Sequence, residues 1–130
     1  MGAGRLWRPL LVGVVMACYG CGGPAQSKTP PSATLLLDAQ EAIRQGDDAK
    51  ALELLNASIE SQPTVWNLME RARLNARLGN DEAAKADCQQ MLQVEPTTPD
   101  AAWIEAELKK PVGKRFEGKF ASPPSHREAM

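Results

Sequence analysis

Apolar residues in the middle of the chain recur at three- and four-residue steps, with polar residues filling the positions between. Leu35, Ala39, Ala42 and Ile43 fall on one stripe at helical spacing, which predicts a helix with one buried face. Gly46 then ends it, because glycine alone takes the left-handed conformation of a helix terminus without steric cost. Asp47 supplies a cap for the next helix, with a negative charge suited to the positive end of the helix dipole. Ala51, Leu54, Leu55 and Ile59 form the facing stripe, Ala51 being small enough to let two helices approach, and Pro63 closes the pair.

The same series returns further along. Leu35, Ala39, Ala42, Gly46, Ala51, Leu55 and Pro63 have counterparts in Leu68, Ala72, Asn75, Gly79, Ala84, Cys88 and Pro96, each 33 residues later. Self-similarity at such a period is the mark of a stacked repeat. In the second copy Thr64 starts a helix, Gly79 ends it, Asn80-Asp81-Glu82 opens the next and Pro96 closes it. Thr98-Pro99-Asp100 places a cap and a first-turn proline ahead of a final helix that runs from Ala101 to Leu108 and stops at Pro111 and Gly113. Cys88 occupies the core-facing place held by Leu55 in the first copy, so a buried thiol acting as a small hydrophobe is expected.

Over residues 32–110 this framework resembles the tetratricopeptide repeat family. The chain departs from the family pattern at Asn75, where an aromatic or apolar residue is usual, and at Asp38 and Arg71, where leucine is common. Its period is one residue short of the family's. The resemblance implies an all-α fold, a short array of antiparallel helix pairs with about two repeats and a capping helix. It also implies protein–protein recognition through a groove lined by the first helix of each pair. Carried onto this chain, that groove comprises Leu36, Gln40, Ile43 and Arg44 from the first copy and Met69, Arg73, Ala76 and Arg77 from the second, with Trp66 at its edge. Its three arginines suit a partner segment with carboxylates, and Ile43 and Met69 suit an apolar anchor. The asparagines and lysines with which chaperone-binding members clamp a peptide C-terminus are absent. Because about three repeats are normally needed for stability, help from self-association or from a partner is expected.

Composition adds the material of the core. Aromatics are 5% of the chain, so the core is built from Leu, Ala, Ile, Val and Met, which favours helices. From Thr34 to Lys110 fourteen acids face eight basic residues, a net −6, whereas the last twenty residues carry +2. No concentrated basic face of the kind that binds nucleic acid is present in this pattern.

The N-terminus reads as an address. Arg5 and Arg8 precede the short apolar run Pro9–Ala17, then small residues and cysteines, as in a secretory signal over residues 1–21. From Pro9 to Cys21 the uncharged stretch is 13 residues, against about 20 for a spanning helix. The region resembles a bacterial lipoprotein signal, with Cys21 as the lipid-bearing cysteine and Cys18 as the alternative. Residues 22–31, rich in Gly, Pro and Ser, form a flexible tether. An uncleaved N-terminal transmembrane helix is the competing reading.

Residues 111–130 lack periodicity and predict a disordered basic tail. Within it Lys114-Arg115-Phe116-Glu117-Gly118-Lys119-Phe120 stands out as basic and aromatic, suited to docking on the module's own acidic surface or on anionic lipid. The single histidine, His126, has no partners for metal binding or nucleophilic chemistry, and the acid pairs Asp47-Asp48 and Asp81-Glu82 sit at helix starts, where capping explains them. The expected protein is therefore not an enzyme and uses no cofactor. It is a membrane-anchored adaptor of the bacterial envelope, facing the periplasm or the exterior, that binds protein partners. The alternative is a self-associating structural lipoprotein whose groove is filled by its own tail.

Overall fold

A computed structural model describes residues 28–127. The expectations placed on the signal, on the lipid-bearing Cys18 and Cys21 and on most of the tether lie outside those residues.

The described chain is all-α. Helices α1 (Pro31–Arg44) and α2 (Asp48–Ser61) form one antiparallel pair, α3 (Val65–Arg77) and α4 (Asp81–Val94) the second, and α5 (Pro99–Leu108) caps the array. Contacts run α1 to α2, α2 to α3, α3 to α4 and α4 to α5, with α5 also against α3. The first helices α1, α3 and α5 thus make one layer, and α2 and α4 the other. Two short 3₁₀ turns, Val112–Lys114 and Gly118–Phe120, and a last turn α6 (Pro124–Arg127) complete the chain.

The local signals act as the residue types require. Gly46 and Gly79 have φ of 76° and 81°, the left-handed region. A Cβ on Gly46 would meet nothing within 4 Å, so conformation and not space demands glycine there. The Asp47 side chain accepts from the Lys50 N–H at 3.0 Å. Thr64 and Asn67 exchange side-chain and backbone bonds at both ends of a capping box, with distances of 2.8 and 3.2 Å. Asn80 differs from expectation. It stands at the cap of α4 without a side-chain cap bond, and its amide instead donates to Asn75 Oδ1.

The core is two interlocked clusters. Ala39, Ala42, Ala51 and Leu55 of the first pair take in Leu74 from α3. Ile59 of α2 in turn joins Leu68, Met69, Ala72, Ala84, Cys88, Met91 and Ile104. Ala51 and Ala84 are both fully buried, as are their neighbours in the repeat, Leu55 and Cys88. Between the clusters runs a buried polar seam. Ser58 Oγ donates to the Ser32 carbonyl at 2.7 Å, and Asn67 Nδ2 donates to Ser58 Oγ at 3.0 Å and to the Gln62 carbonyl at 2.9 Å. The start of α1, the end of α2 and the start of α3 are bound together by two side chains, Ser58 and Asn67, that the apolar pattern does not reveal.

Residues 111–127, expected to lack structure, fold back on the array. Periodicity could not signal this, because the segment is held by isolated side chains bonding to backbone and not by an apolar stripe.

Candidate functional site

Three side chains on α5, spaced along one face, receive the returning chain: Asp100, Trp103 and Glu107. All are buried, at 0, 6 and 1% exposure, although two of them are acids. Buried carboxylates persist only when hydrogen-bonded or paired, and the tail supplies the partners. Glu107 accepts from the Phe116 N–H at 2.7 Å and from Lys110 Nζ at 2.6 Å. Asp100 accepts from the Ser125 N–H at 3.1 Å and from its hydroxyl at 2.7 Å. Trp103 Nε1 donates to the Phe120 carbonyl at 3.2 Å.

The tail is anchored at Arg115 and Phe116. Arg115 Nη1 and Nη2 reach both oxygens of Asp81 at 2.6 and 3.0 Å, and the remaining guanidinium donors meet the carbonyls of Lys110, Ala76 and Leu108 at 2.8–2.9 Å. Every N–H of the fork is used. Two of those carbonyls lie in the last turns of α3 and α5, where carbonyls run short of intrahelical donors, so the side chain also helps to complete both helix termini. Asp81 was expected only to open α4; here it also holds the tail. The hydrogen bond from Arg115 keeps its carboxyl below the usual carboxylate range, and the same bond raises Arg115 above the usual guanidinium value. Phe116 is buried with its ring edge-on to Trp103 at 5.1 Å. It sits at φ 56°, which a non-glycine residue adopts only when its surroundings hold it there.

This arrangement divides the groove expected from the repeat pattern. In its second half Met69 and Ala76 are buried, and Ala76 gives its carbonyl to Arg115. Arg73 lies within 6 Å of both Trp103 and Phe116, pairs with Glu70 at 3.4 Å and donates to the Ala121 carbonyl at 3.2 Å. Its Nε is buried without an acceptor among the described residues. Burial, and less so the neighbouring charge of Arg77, lowers its pKa against the opposing pull of Glu70. Arg77 is exposed, its guanidinium 5.8 Å from the Phe116 ring. Trp66, at the edge, is 45% exposed and stacks on His126 at 5.0 Å. In the first half Leu36, Gln40 and Ile43 are half-buried, and the exposed Arg44 pairs with Glu41 on its own helix. Gln40 meets Glu70 of α3 at 3.5 Å, which joins the two halves.

The outer layer holds a second correction. Glu53 and Glu60 are exposed on α2 as expected of an outward face, but Asp87 is buried. Arg71 grips it through Nε and Nη2 at 2.9 and 2.5 Å, and also reaches Asn56. The residue that replaces a common leucine of the repeat pattern thus forms an ion pair across α3 and α4. It borders a surface cavity of about 340 Å³ lined by Leu52, Asn56, Asn75 and Ala83. Cys88 is a free thiol, and burial pushes its pKa up to about 12. Such a thiol is inert as a nucleophile at neutral pH. Among the described residues, no three His, Cys, Asp or Glu side chains are placed to hold a metal ion, and no helix is long and apolar enough to cross a membrane.

The site is therefore an array face that carries a turned segment, bonded largely through its main chain, with Arg73, Arg77, Trp66 and Trp103 beside it. Comparison with protein-family models, curated proteins and solved structures returns no match.

Proposed function

We propose that this chain is a lipid-anchored interaction module of the bacterial envelope, a two-repeat tetratricopeptide-type array held to the membrane through Cys21 or Cys18. One observation carries the binding part of the reading. The layer formed by α1, α3 and α5 accepts a turned segment along its α3–α5 half, and among the described residues the same layer continues uncovered along α1. There Leu36 and Ile43 offer an apolar anchor, with Gln40 between them and Arg44 at the end. A protein partner lying along α1 would bury those side chains and meet Arg44 or Arg77 with its carboxylates. The anchoring part rests on the signal-like N-terminus.

Mass spectrometry of the mature N-terminus tests the anchor, a diacylated cysteine being the expected species and an unmodified N-terminus the refuting one. Affinity capture from solubilised envelope tests the surface. Leu36→Ala with Ile43→Ala should lose the partner while Glu53→Ala with Glu60→Ala keeps it. Equal capture by both removes α1 as the binding surface.

The covered α3–α5 half favours a second reading, a structural lipoprotein that associates with itself. Sedimentation of the mature protein separates the two: a concentration-dependent oligomer supports the structural subunit, and a monomer that captures a different protein supports the adaptor.

A further inference from the structure

The tail has two parts with different physics. Arg115 and Phe116 are buried in the array, and Phe116 belongs to its core. Residues 118–127 beyond them form a strap of which only Pro123 is buried. Phe120 is 38% exposed, and its ring lies beside Lys110 and Lys119. Besides Pro123, what binds the strap is mostly main chain, with one hydroxyl and one ring. Trp103 and Arg73 donate to the successive carbonyls of Phe120 and Ala121, Asp100 accepts from the N–H and hydroxyl of Ser125, and His126 lies on Trp66. Between these points the chain turns rather than extends, with a 3₁₀ turn at Gly118–Phe120 and a last helical turn that Pro124 opens.

A surface that reads two carbonyls, one hydroxyl and one flat ring does not require this particular segment. The strap is also an imperfect occupant, since it leaves Arg73 Nε buried without an acceptor, a state that costs free energy. We infer that the Asp100–Trp103–Arg73 face is a peptide site held shut by the strap. Its proper occupant is a turn-forming, proline-containing segment of a partner protein. That segment carries Ser or Thr followed by an aromatic or imidazole ring, with an acceptor side chain opposite Arg73. The inference rests on the interaction-module reading above but concerns the other half of the layer. Loss of capture through Leu36 and Ile43 and failure of the experiment below are therefore separate results.

The probe is a fluorescent peptide of residues 117–127, titrated into the purified full chain and into Ser125→Ala with His126→Ala, two changes that leave the receiving surface intact. A tethered strap competes at an effective concentration on the order of millimolar. The peptide should therefore bind the double variant at least about ten-fold more tightly than the unaltered chain. A peptide with Ala121→Asp should bind more tightly still, and one with Ser125→Ala much more weakly. Equal affinity for the two proteins, or no binding to either at about 1 mM, overturns the proposal, and an Ala121→Asp peptide no tighter than the parent removes the acceptor requirement. Should the variant fail to fold, hydrogen exchange of the unaltered chain decides. Amides of 118–126 should exchange about 100-fold faster than those of α5 if the strap opens as a unit, and equal protection makes it a fixed part of the fold.

Discussion

Asn67 carries more of this fold than its polar, mid-repeat position suggests, and Asn67→Ala measures how much. Its side chain is 1% exposed and makes three bonds: it accepts from the Thr64 N–H and donates to Ser58 Oγ and to the Gln62 carbonyl. Each such bond contributes about 1 kcal/mol net, and the groups left behind cannot all reach water. The expected loss is about 3 kcal/mol, a large fraction of the 5–15 kcal/mol typical of a folded domain. For a domain of this size it lowers Tm by roughly 15 °C. Thr64→Ala removes only the reciprocal half of the capping box and should cost about 1 kcal/mol. Thermal unfolding followed by circular dichroism at 222 nm reads both. A loss for Asn67→Ala no greater than for Thr64→Ala would refute the claim that the seam joins α1, α2 and α3, leaving Asn67 as a helix cap alone.

Replacing Ala51 or Ala84 by leucine should overpack the helix crossings and cost about 1–3 kcal/mol in the same melts. Arg71→Ala strands the buried Asp87 and should cost about 3 kcal/mol, whereas Arg71→Leu with Asp87→Leu should recover most of it; equal losses argue against the ion pair as the source. Because the Asp81 carboxyl is held below its unfolded value of about 3.9, the tail anchor is fully present above that pH and is lost as pH falls through the folded value. Tryptophan fluorescence should therefore report release of the tail in acid, and Asp81→Asn should abolish that transition while leaving the tail weakly docked at all pH values. Cys88 should resist a thiol-specific disulfide reagent at pH 8 and react fully in guanidinium, since neither access nor thiolate is available in the folded protein.

The helix pairs were readable in advance because Leu35, Ala39, Ala42 and their counterparts 33 residues on repeat the same geometric demand. Helix ends at Gly46, Gly79 and Pro63 were readable for the same reason: few residues satisfy a left-handed terminus or a helix stop. The candidate groove residues lie on α1 and α3, and occupancy of half that layer by the tail was readable only as an alternative to a disordered tail. Arg115 and Ser125 act singly over long sequence separations, and nothing in their neighbourhood repeats. Arg71 and Asp87 each looked like a surface charge or a departure from pattern, and only their juxtaposition explains either. The buried acids of α5 could have been suspected, since Asp100 and Glu107 lie on the same face as Trp103, seven residues spanning two turns.

The reach of the tail's contacts bears on the order in which the molecule assembles. Within each helix pair, partners lie close along the chain, so closing them costs little chain entropy and they form quickly. The tail's bonds instead bridge 39 residues from Arg115 to Ala76 and 48 from Arg73 to Ala121. On a growing polypeptide those residues emerge after α1 to α5, when the array they cover has had time to condense. The α3–α5 face is consequently open to a neighbouring chain until the tail follows, and its closure comes after the helix pairs have packed.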